Sequence, residues 1–519
     1  MDATYTDKFN NFELPMKAAI TGLVATVTTV LAYIVFLSYT PRVDKKSPKF
    51  TPNTVPLVGS WSFFTQKWAF WQDCVAKSPT GHFSFWLGKY HVVGMSGPAA
   101  RKVFLDNPNF DFVRGATLVG HGPDFVPPLH AIFHGNFQNG RSYFQRRLVD
   151  LQKSEQLGKR LPGVTRDARG AFEALRHHAS GVMNPTDACY RLVVHQACRV
   201  VCSDEIADDP AVLARTQSVL SLLMHTSSIH AVALPYLPSL AKLKRRWGRY
   251  SLSRIVTPIV QRRLHKKKDD PRHDDVVQYM LDRGDPPEWM VAFFISTLFI
   301  ASANAGYLSG AMLNILAHHP DWQARIYREI KTVAAAHAPN NRRHAPLVDQ
   351  LDAIPLDAWE SFFPSIDLCF KEAIRMWVAF PMIRLNMAPH AVPIPGTAEV
   401  VPAGTFAAYN STEVHFNPDL YPDPYRYDPE RFREGREEFK REAYGFVGWG
   451  QGRHPCLGMR WAKIQLNIIL AYALALYEWS GCDEKGQPST HFDRKTDLNA
   501  PGPSLPVGLF CKYVPRKEM

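Results

Sequence analysis

The chain has 519 residues, 46% hydrophobic and 21% charged, which is enough apolar material for a large packed core and excludes a disordered or fibrous chain. Its formal charge of +12 admits an anionic partner, but the basic residues lie in short clusters such as Lys242 to Arg246 and Lys266 to Lys268. No basic arm is interleaved with aromatics, so no nucleic acid partner is expected. The 8 cysteines are too few for a disulfide scaffold in a chain this long. Cys198 and Cys202 are one helical turn apart, yet no second pair completes a zinc site, and reduced thiols facing a cytosol are the simplest reading.

Residues Ala18 to Ser38 are uncharged and span about one bilayer thickness. A cleaved signal peptide would have a shorter apolar core and a small-residue cleavage site. A buried core helix would show a polar stripe, and here only small Thr residues interrupt the run. Arg42, Lys45, Lys46 and Lys49 follow it, whereas Asp2, Asp7 and Glu13 offset Lys8 and Lys17 before it. That bias places the C-terminal side in the cytosol. The expected organisation is a membrane anchor over 1–40, a stiff hinge over 41–60 carrying Pro41, Pro48, Pro52 and Pro56, and one large domain over 61–519.

His82 to Leu87 and Tyr90 to Val93 flank Gly88 as a hairpin, and Ser96-Gly97-Pro98 turns into a short helix over Ala99 to Phe104. From Gly140 a basic amphipathic helix is expected to run to about Leu157, with Tyr143 and Arg147 on one face; a solvated basic helix is the competing reading. Pro185 to about Lys268 is helical with a break at Pro235-Tyr236-Leu237-Pro238, whose apolar residues line a substrate entrance, touch the membrane, or simply pack between two helices. Pro286-Pro287-Glu288 opens a long helix, proline being tolerated in the first turn. It is apolar nearly all round as far as His319-Pro320 and should lie buried in the centre of the domain; Ser302 and Asn304 argue against a second membrane span.

Glu372 and Arg375 share a helical face and can pair. Near the C-terminal end comes Trp449-Gly450-Gln451-Gly452-Arg453-His454-Pro455-Cys456-Leu457-Gly458, whose glycines and proline make it a loop that can pass close to a flat ligand. An apolar helical segment follows from Met459. Cys456 therefore sits just before a helix, whose free N–H groups and dipole favour a thiolate. A thiolate on such a loop is what an axial haem-iron ligand requires; a buried free cysteine beside a turn is the bland alternative.

This loop resembles the haem-binding loop of the cytochrome P450 superfamily, aromatic-Gly-x-Gly-x-(Arg/His)-x-Cys-x-Gly, with Trp449 where most members carry Phe. The resemblance covers about Pro52 to Val514. It implies a mainly α fold with small β-sheets, the cytochrome P450 fold, preceded by an N-terminal transmembrane helix. It implies haem b (iron protoporphyrin IX) ligated by Cys456, with His454, Arg384, Tyr143 and Arg147 as haem-propionate partners and Trp449 in the haem loop. Glu372, Arg375 and Arg431 resemble the family's buried ion triad, Val401-Pro402-Ala403-Gly404-Thr405 its hairpin turn, and Leu498 to Gly508 the hairpin tip that enters the substrate pocket.

Measured back from His319-Pro320, the family's acid–threonine pair falls on Ala303 and Asn304, which lack both carboxylate and hydroxyl. An Asn amide can orient a water or bond a substrate oxygen. Asparagine here resembles a subgroup in which some members hydroxylate and others isomerise a peroxide without a reductase. The implied activity is a haem-thiolate monooxygenase acting on an apolar small molecule, terpenoid, sterol-like or polyketide, in secondary metabolite biosynthesis. It would use O2 and NADPH-derived electrons through NADPH–cytochrome P450 reductase, as a single-pass protein of the endoplasmic reticulum membrane with its catalytic domain on the cytosolic face. A reductase-independent isomerase or dehydratase, and a non-catalytic haem-binding protein, remain the rival readings; the Asn speaks against a steroid 14-demethylase.

Overall fold

The computed structural model of the chain describes residues 3–516 apart from 39–42, 52–53, 56–57, 121–126, 136, 139, 179, 225–238, 266–271, 490–496 and 501–508. Pro41, Pro52, Pro56, the break at Pro235 to Pro238, Lys266 to Lys268 and residues 501–508 of the C-terminal turn thus lie outside the described residues. The rest is mostly helical with small sheets.

The N-terminal helix runs over Ala3–Ser38, longer than the apolar stretch alone, and none of the window Ala18–Val35 is buried. Ile20, Leu23, Val24, Leu31 and Val35 all stand exposed, which in water would be costly and in a bilayer is the stable arrangement. By contrast the second long apolar helix, Pro287–His318, buries Phe293, Phe294, Leu298, Leu308, Met312, Leu313 and Leu316 in the main core. It packs against the helices Pro185–Val201, Leu240–Leu264 and Met459–Leu476. Pro287 and Pro185 each occupy a first turn, and Asn184 caps the second of these helices by accepting the N–H groups of Thr186 and Asp187.

Among the described residues ten strands form three sheets: β1 Phe83–Leu87, β2 Tyr90–Gly94, β3 Phe110–Asp111, β4 Val182–Met183, β5 Pro381–Asn386, β6 Val392–Pro393, β7 Val400–Val401, β8 Phe406–Asn410, β9 Tyr477–Cys482 and β10 Phe510–Pro515. The largest sheet has the order β1-β2-β8-β5-β3. Its β1–β2 hairpin pairs Leu87 with Tyr90, and Gly88 at φ +57 supplies the left-handed residue such a short turn needs. The helix Pro98–Asp106 lies against β8 and leads into β3.

The basic helix expected from Gly140 to Leu157 is two helices. The first, Tyr143–Leu151, opens on a capping box between Ser142 and Gln145; the second, Ser154–Glu173, follows after a break. The break is set from a distance. The Gln152 amide donates to the Leu457 carbonyl and accepts from the Trp461 N–H at 3.3 Å, while the Arg460 guanidinium takes the Gln152 carbonyl. These bonds turn the backbone at Gln152 toward the helix that follows Cys456.

Candidate functional site

Trp449 to Gly458 is a loop whose shape is written in its glycines. Gly450 and Gly452 sit at φ +65 and +63, and a Cβ on Gly452 would lie 2.4 Å from the Leu105 carbonyl oxygen. The close approach lets the Arg453 N–H donate to that same carbonyl at 3.0 Å. Within the loop, Gly450 N–H donates to the Val447 carbonyl at 2.9 Å and Cys456 N–H to the Trp449 carbonyl at 2.6 Å. The helix Pro98–Asp106 thus supports one side of the loop, reinforced by the Tyr444 hydroxyl bonded to Asp106 and by Arg101 bonded to Glu442 and to the Ala443 carbonyl.

Cys456 is exposed, whereas the other cysteines are buried. A Cβ on Gly458 would meet only open space. The N–H groups of Gly458 and Met459 pull the Cys456 thiol pKa down, as a helix start should, but the apolar surroundings push it up further and the net shift is upward. The helix start thus acts in the direction expected, toward the thiolate, but burial acts against it. Desolvation outweighs the N–H bonds, and a cation at the sulphur is what would complete deprotonation.

Arg384, on β5, is 2% exposed. Its Nη1 donates to the Phe104 and Leu105 carbonyls at 2.6 and 3.0 Å, and its Nε has no partner among the described residues. Burial depresses its pKa to about 10, with Asp106 offsetting only part of that cost. His454 sits close enough for the Arg384 charge to help burial lower its own pKa. Its Nε2–H donates to the Phe110 carbonyl at 3.2 Å and its ring lies 5.8 Å from that of Phe112. A buried guanidinium lacking a paired carboxylate, with a histidine beside it, is a site built for an anion.

The structure does not bring Tyr143 and Arg147 into that group by any contact. Arg147 instead pairs bidentately with Asp285, two residues before the central helix, and more loosely with Asp150 at 3.3 Å. Its guanidinium lies 5.5 Å from the Tyr143 ring, which meets Trp289 edge-on at 5.1 Å. Burial and the Asp285 charge raise the Tyr143 pKa. Sequence reasoning missed Asp285, whose only local signal was its place before the Pro286-Pro287 helix start.

On the central helix Asn304 is exposed, and Ile300, one turn earlier, is 46% exposed. Ala303 is half-buried between them and Ser302 is buried. These two open positions interrupt a helix most of whose other residues in this stretch are buried or half-buried. Trp449 meets Phe370 edge-on at 5.2 Å, and its indole N–H is buried with no partner among the described residues.

Behind the loop lies the ion cluster. Arg375 donates from Nε and Nη2 to both Glu372 oxygens at 2.7 Å, and both side chains are fully buried. Arg431 reaches Glu372 only at 3.5 Å and is held more closely by Glu438 at 2.9 Å, so the expected triad extends through Glu438 to Arg436 at 2.7 Å. Glu438 carries no periodic signal that would have singled it out.

The donor set fits a haem: one exposed thiol on a rigid loop, open space at Gly458, and an uncompensated buried cation with a histidine for a carboxylate of the ring. A family model described as cytochrome P450 matches residues 48–504. The chain is similar to the cytochrome P450 monooxygenase AacuE of Aspergillus aculeatus, 95% identical over 97% of this chain and 100% of the relative. It is also similar to the cytochrome P450 monooxygenase nsrP of Aspergillus novofumigatus, 48% identical over 96% of each. The cytochrome P450 monooxygenase dmxR5 of Cryptosporiopsis sp. is 45% identical over 96% of this chain and 95% of the relative.

Proposed function

This chain belongs to the cytochrome P450 family and is a P450 monooxygenase, and we propose that it oxidises an apolar small molecule of fungal secondary metabolism, of terpenoid, sterol-like or polyketide skeleton. The observation that carries the site assignment is the exposed Cys456 thiol on a fixed loop, beside the unpaired buried charge of Arg384. Cys456 would hold haem b by its thiolate, and Arg384 with His454 would hold a propionate. Trp449 would pack within the same loop. When bound, the haem supplies the oxidising chemistry, and thiolate donation favours O–O cleavage.

The protein's own part is positioning and exclusion of water. Asn304 would orient a water or a substrate oxygen through its amide, with Ala303 leaving room beside it. Tyr143 and Arg147 would be further propionate partners; Asp285 takes Arg147 Nε and Nη2 and leaves Nη1, 3.3 Å from Asp150, and the same pairing would brace the start of the central helix. The exposed apolar helix supports a membrane anchor over 1–40, a hinge over 41–60 and a catalytic domain over 61–519. The lysines that follow the anchor support a single-pass protein of the endoplasmic reticulum with its catalytic domain in the cytosol. Electrons would come from NADPH through a separate P450 reductase.

The test is the carbon monoxide difference spectrum of the reduced full-length protein and of Cys456→Ala, followed by NADPH consumption with reductase and candidate polyketide, terpenoid and sterol substrates. A red-shifted Soret band in wild type, lost in the variant, is expected, with substrate-dependent NADPH consumption. A band of histidine-ligated haem in wild type overturns the role of Cys456. Turnover independent of NADPH and reductase overturns the electron source and favours a rearrangement centred on Asn304.

A further inference from the structure

The ion cluster and the cysteine loop are separate in sequence and do not touch through their charged groups, yet an unbroken line of hydrogen bonds joins them through one residue. His415 ends the short helix Thr412–His415 and is fully buried. Its carbonyl accepts the Arg375 Nη1–H at 2.6 Å, so the residue is tied by its backbone to the Glu372–Arg375 pair. Its ring faces the other way: Nε2 lies 3.1 Å from the Val447 backbone N–H and accepts from it. The ring also stacks on Phe446, with centroids 5.4 Å apart and planes at 19°. From Val447 the line continues, since the Val447 carbonyl accepts the Gly450 N–H at 2.9 Å. The next residue back, Trp449, accepts the Cys456 N–H at 2.6 Å.

We infer that His415 is a positioning residue, an acceptor that fixes the backbone at Val447 and through it the register of the loop that presents the Cys456 sulphur. An N–H buried at Val447 needs an acceptor or it carries the penalty of an unsatisfied buried donor. Among the described residues no backbone carbonyl is bonded to the Val447 N–H; the imidazole is its partner. The acceptor role requires the neutral ring with its proton on Nδ1, because a doubly protonated ring only donates. Burial and the Arg375 charge together hold the ring neutral, with its pKa near 3. The ion cluster thus anchors the His415 main chain, and the ring passes that anchor to a loop that has no charged group of its own in the cluster.

The inference rests on the assignment of Cys456 as the thiolate ligand, and the test separates the two. The full-length haem-loaded protein is compared as wild type, His415→Gln and His415→Phe. Gln places a carbonyl oxygen near the position of Nε2, whereas Phe keeps the aromatic stack on Phe446 and removes the acceptor. The readouts are the reduced carbon monoxide spectrum, its decay under mild heating, and hydrogen exchange in the peptide containing Val447. Wild type is expected to show the red-shifted band. H415F is expected to convert to the blue-shifted band of thiolate loss at least tenfold faster and to exchange at Val447 at least tenfold faster, while H415Q stays within about threefold of wild type on both.

If wild type lacks the red-shifted band, the ligand assignment fails first. If wild type has it and H415F matches wild type in band lifetime and exchange, the positioning role is overturned. It is equally overturned if H415Q decays as fast as H415F, since restoring the acceptor then fails to restore the loop. Should H415F not fold while H415Q does, far-UV circular dichroism shows it. The residue is then a requirement of the whole fold, and the local role is withdrawn.

Discussion

At the residue scale Arg384 is the least comfortable side chain at the site. It is buried with its charge answered mainly by two carbonyl dipoles, and an unpaired buried cation is a net cost to the protein alone. Replacing it by Met removes that cost together with the anion's partner. Arg384→Met is therefore expected to leave the thermal midpoint of the haem-free protein unchanged or raised, while weakening haem binding about tenfold, roughly 1.4 kcal/mol. Haem titration of the two apoproteins checks it. A variant that loses stability without losing haem affinity would show that Arg384 serves the sheet and not the ligand. Cys456 makes the complementary point. The sign of the helix-start effect on its thiol was legible from the loop and the following helix, but the larger opposing effect of desolvation was not, because it depends on side chains from elsewhere.

At the scale of elements, the joints matter more than the helices themselves. Removing the charge at Glu372 would leave Arg375 and Arg431 buried beside a neutral amide, since Glu438 reaches Arg431 but not Arg375 and is shared with Arg436. Glu372→Gln is expected to destabilise the protein by about 3–5 kcal/mol, the usual cost of breaking a buried pair from one side. Chemical denaturation with the slope held constant measures it. The β1–β2 hairpin around Gly88 and the cysteine loop were readable because their signals, glycine and proline at turn positions, are local. The break at Gln152 was not. Its cause is a bond to the Leu457 carbonyl 305 residues away, and helical periodicity runs on through Leu157 regardless. The same holds for the pairing of Arg147 with Asp285 across 138 residues.

At the scale of the whole molecule, buried neutral histidines set the acid limit. His415 and His91 have pKa values near 3 and near 4, both below the ordinary 6.5 and both because burial penalises the charged ring. The unfolded chain binds more protons than the folded one below pH 6.5, so the stability these rings contribute is complete above that value. It is lost as the pH falls toward 3, at about 1.4 kcal/mol per pH unit for each ring still neutral in the fold. The thermal midpoint is thus expected to drop steadily on acidification from pH ~7 to ~5. A flat profile would mean that these rings are accessible to protons in the native state.

The two open positions on the central helix have a consequence for substitution. The ties that hold the cysteine loop come from Leu105, Gln152, His415 and Val447, with Arg101 and Asp106 behind it, and none of them involves Ile300 or Asn304. Substitutions at those two positions would therefore alter this open face of the helix one side chain at a time while every tie of the cysteine loop is kept.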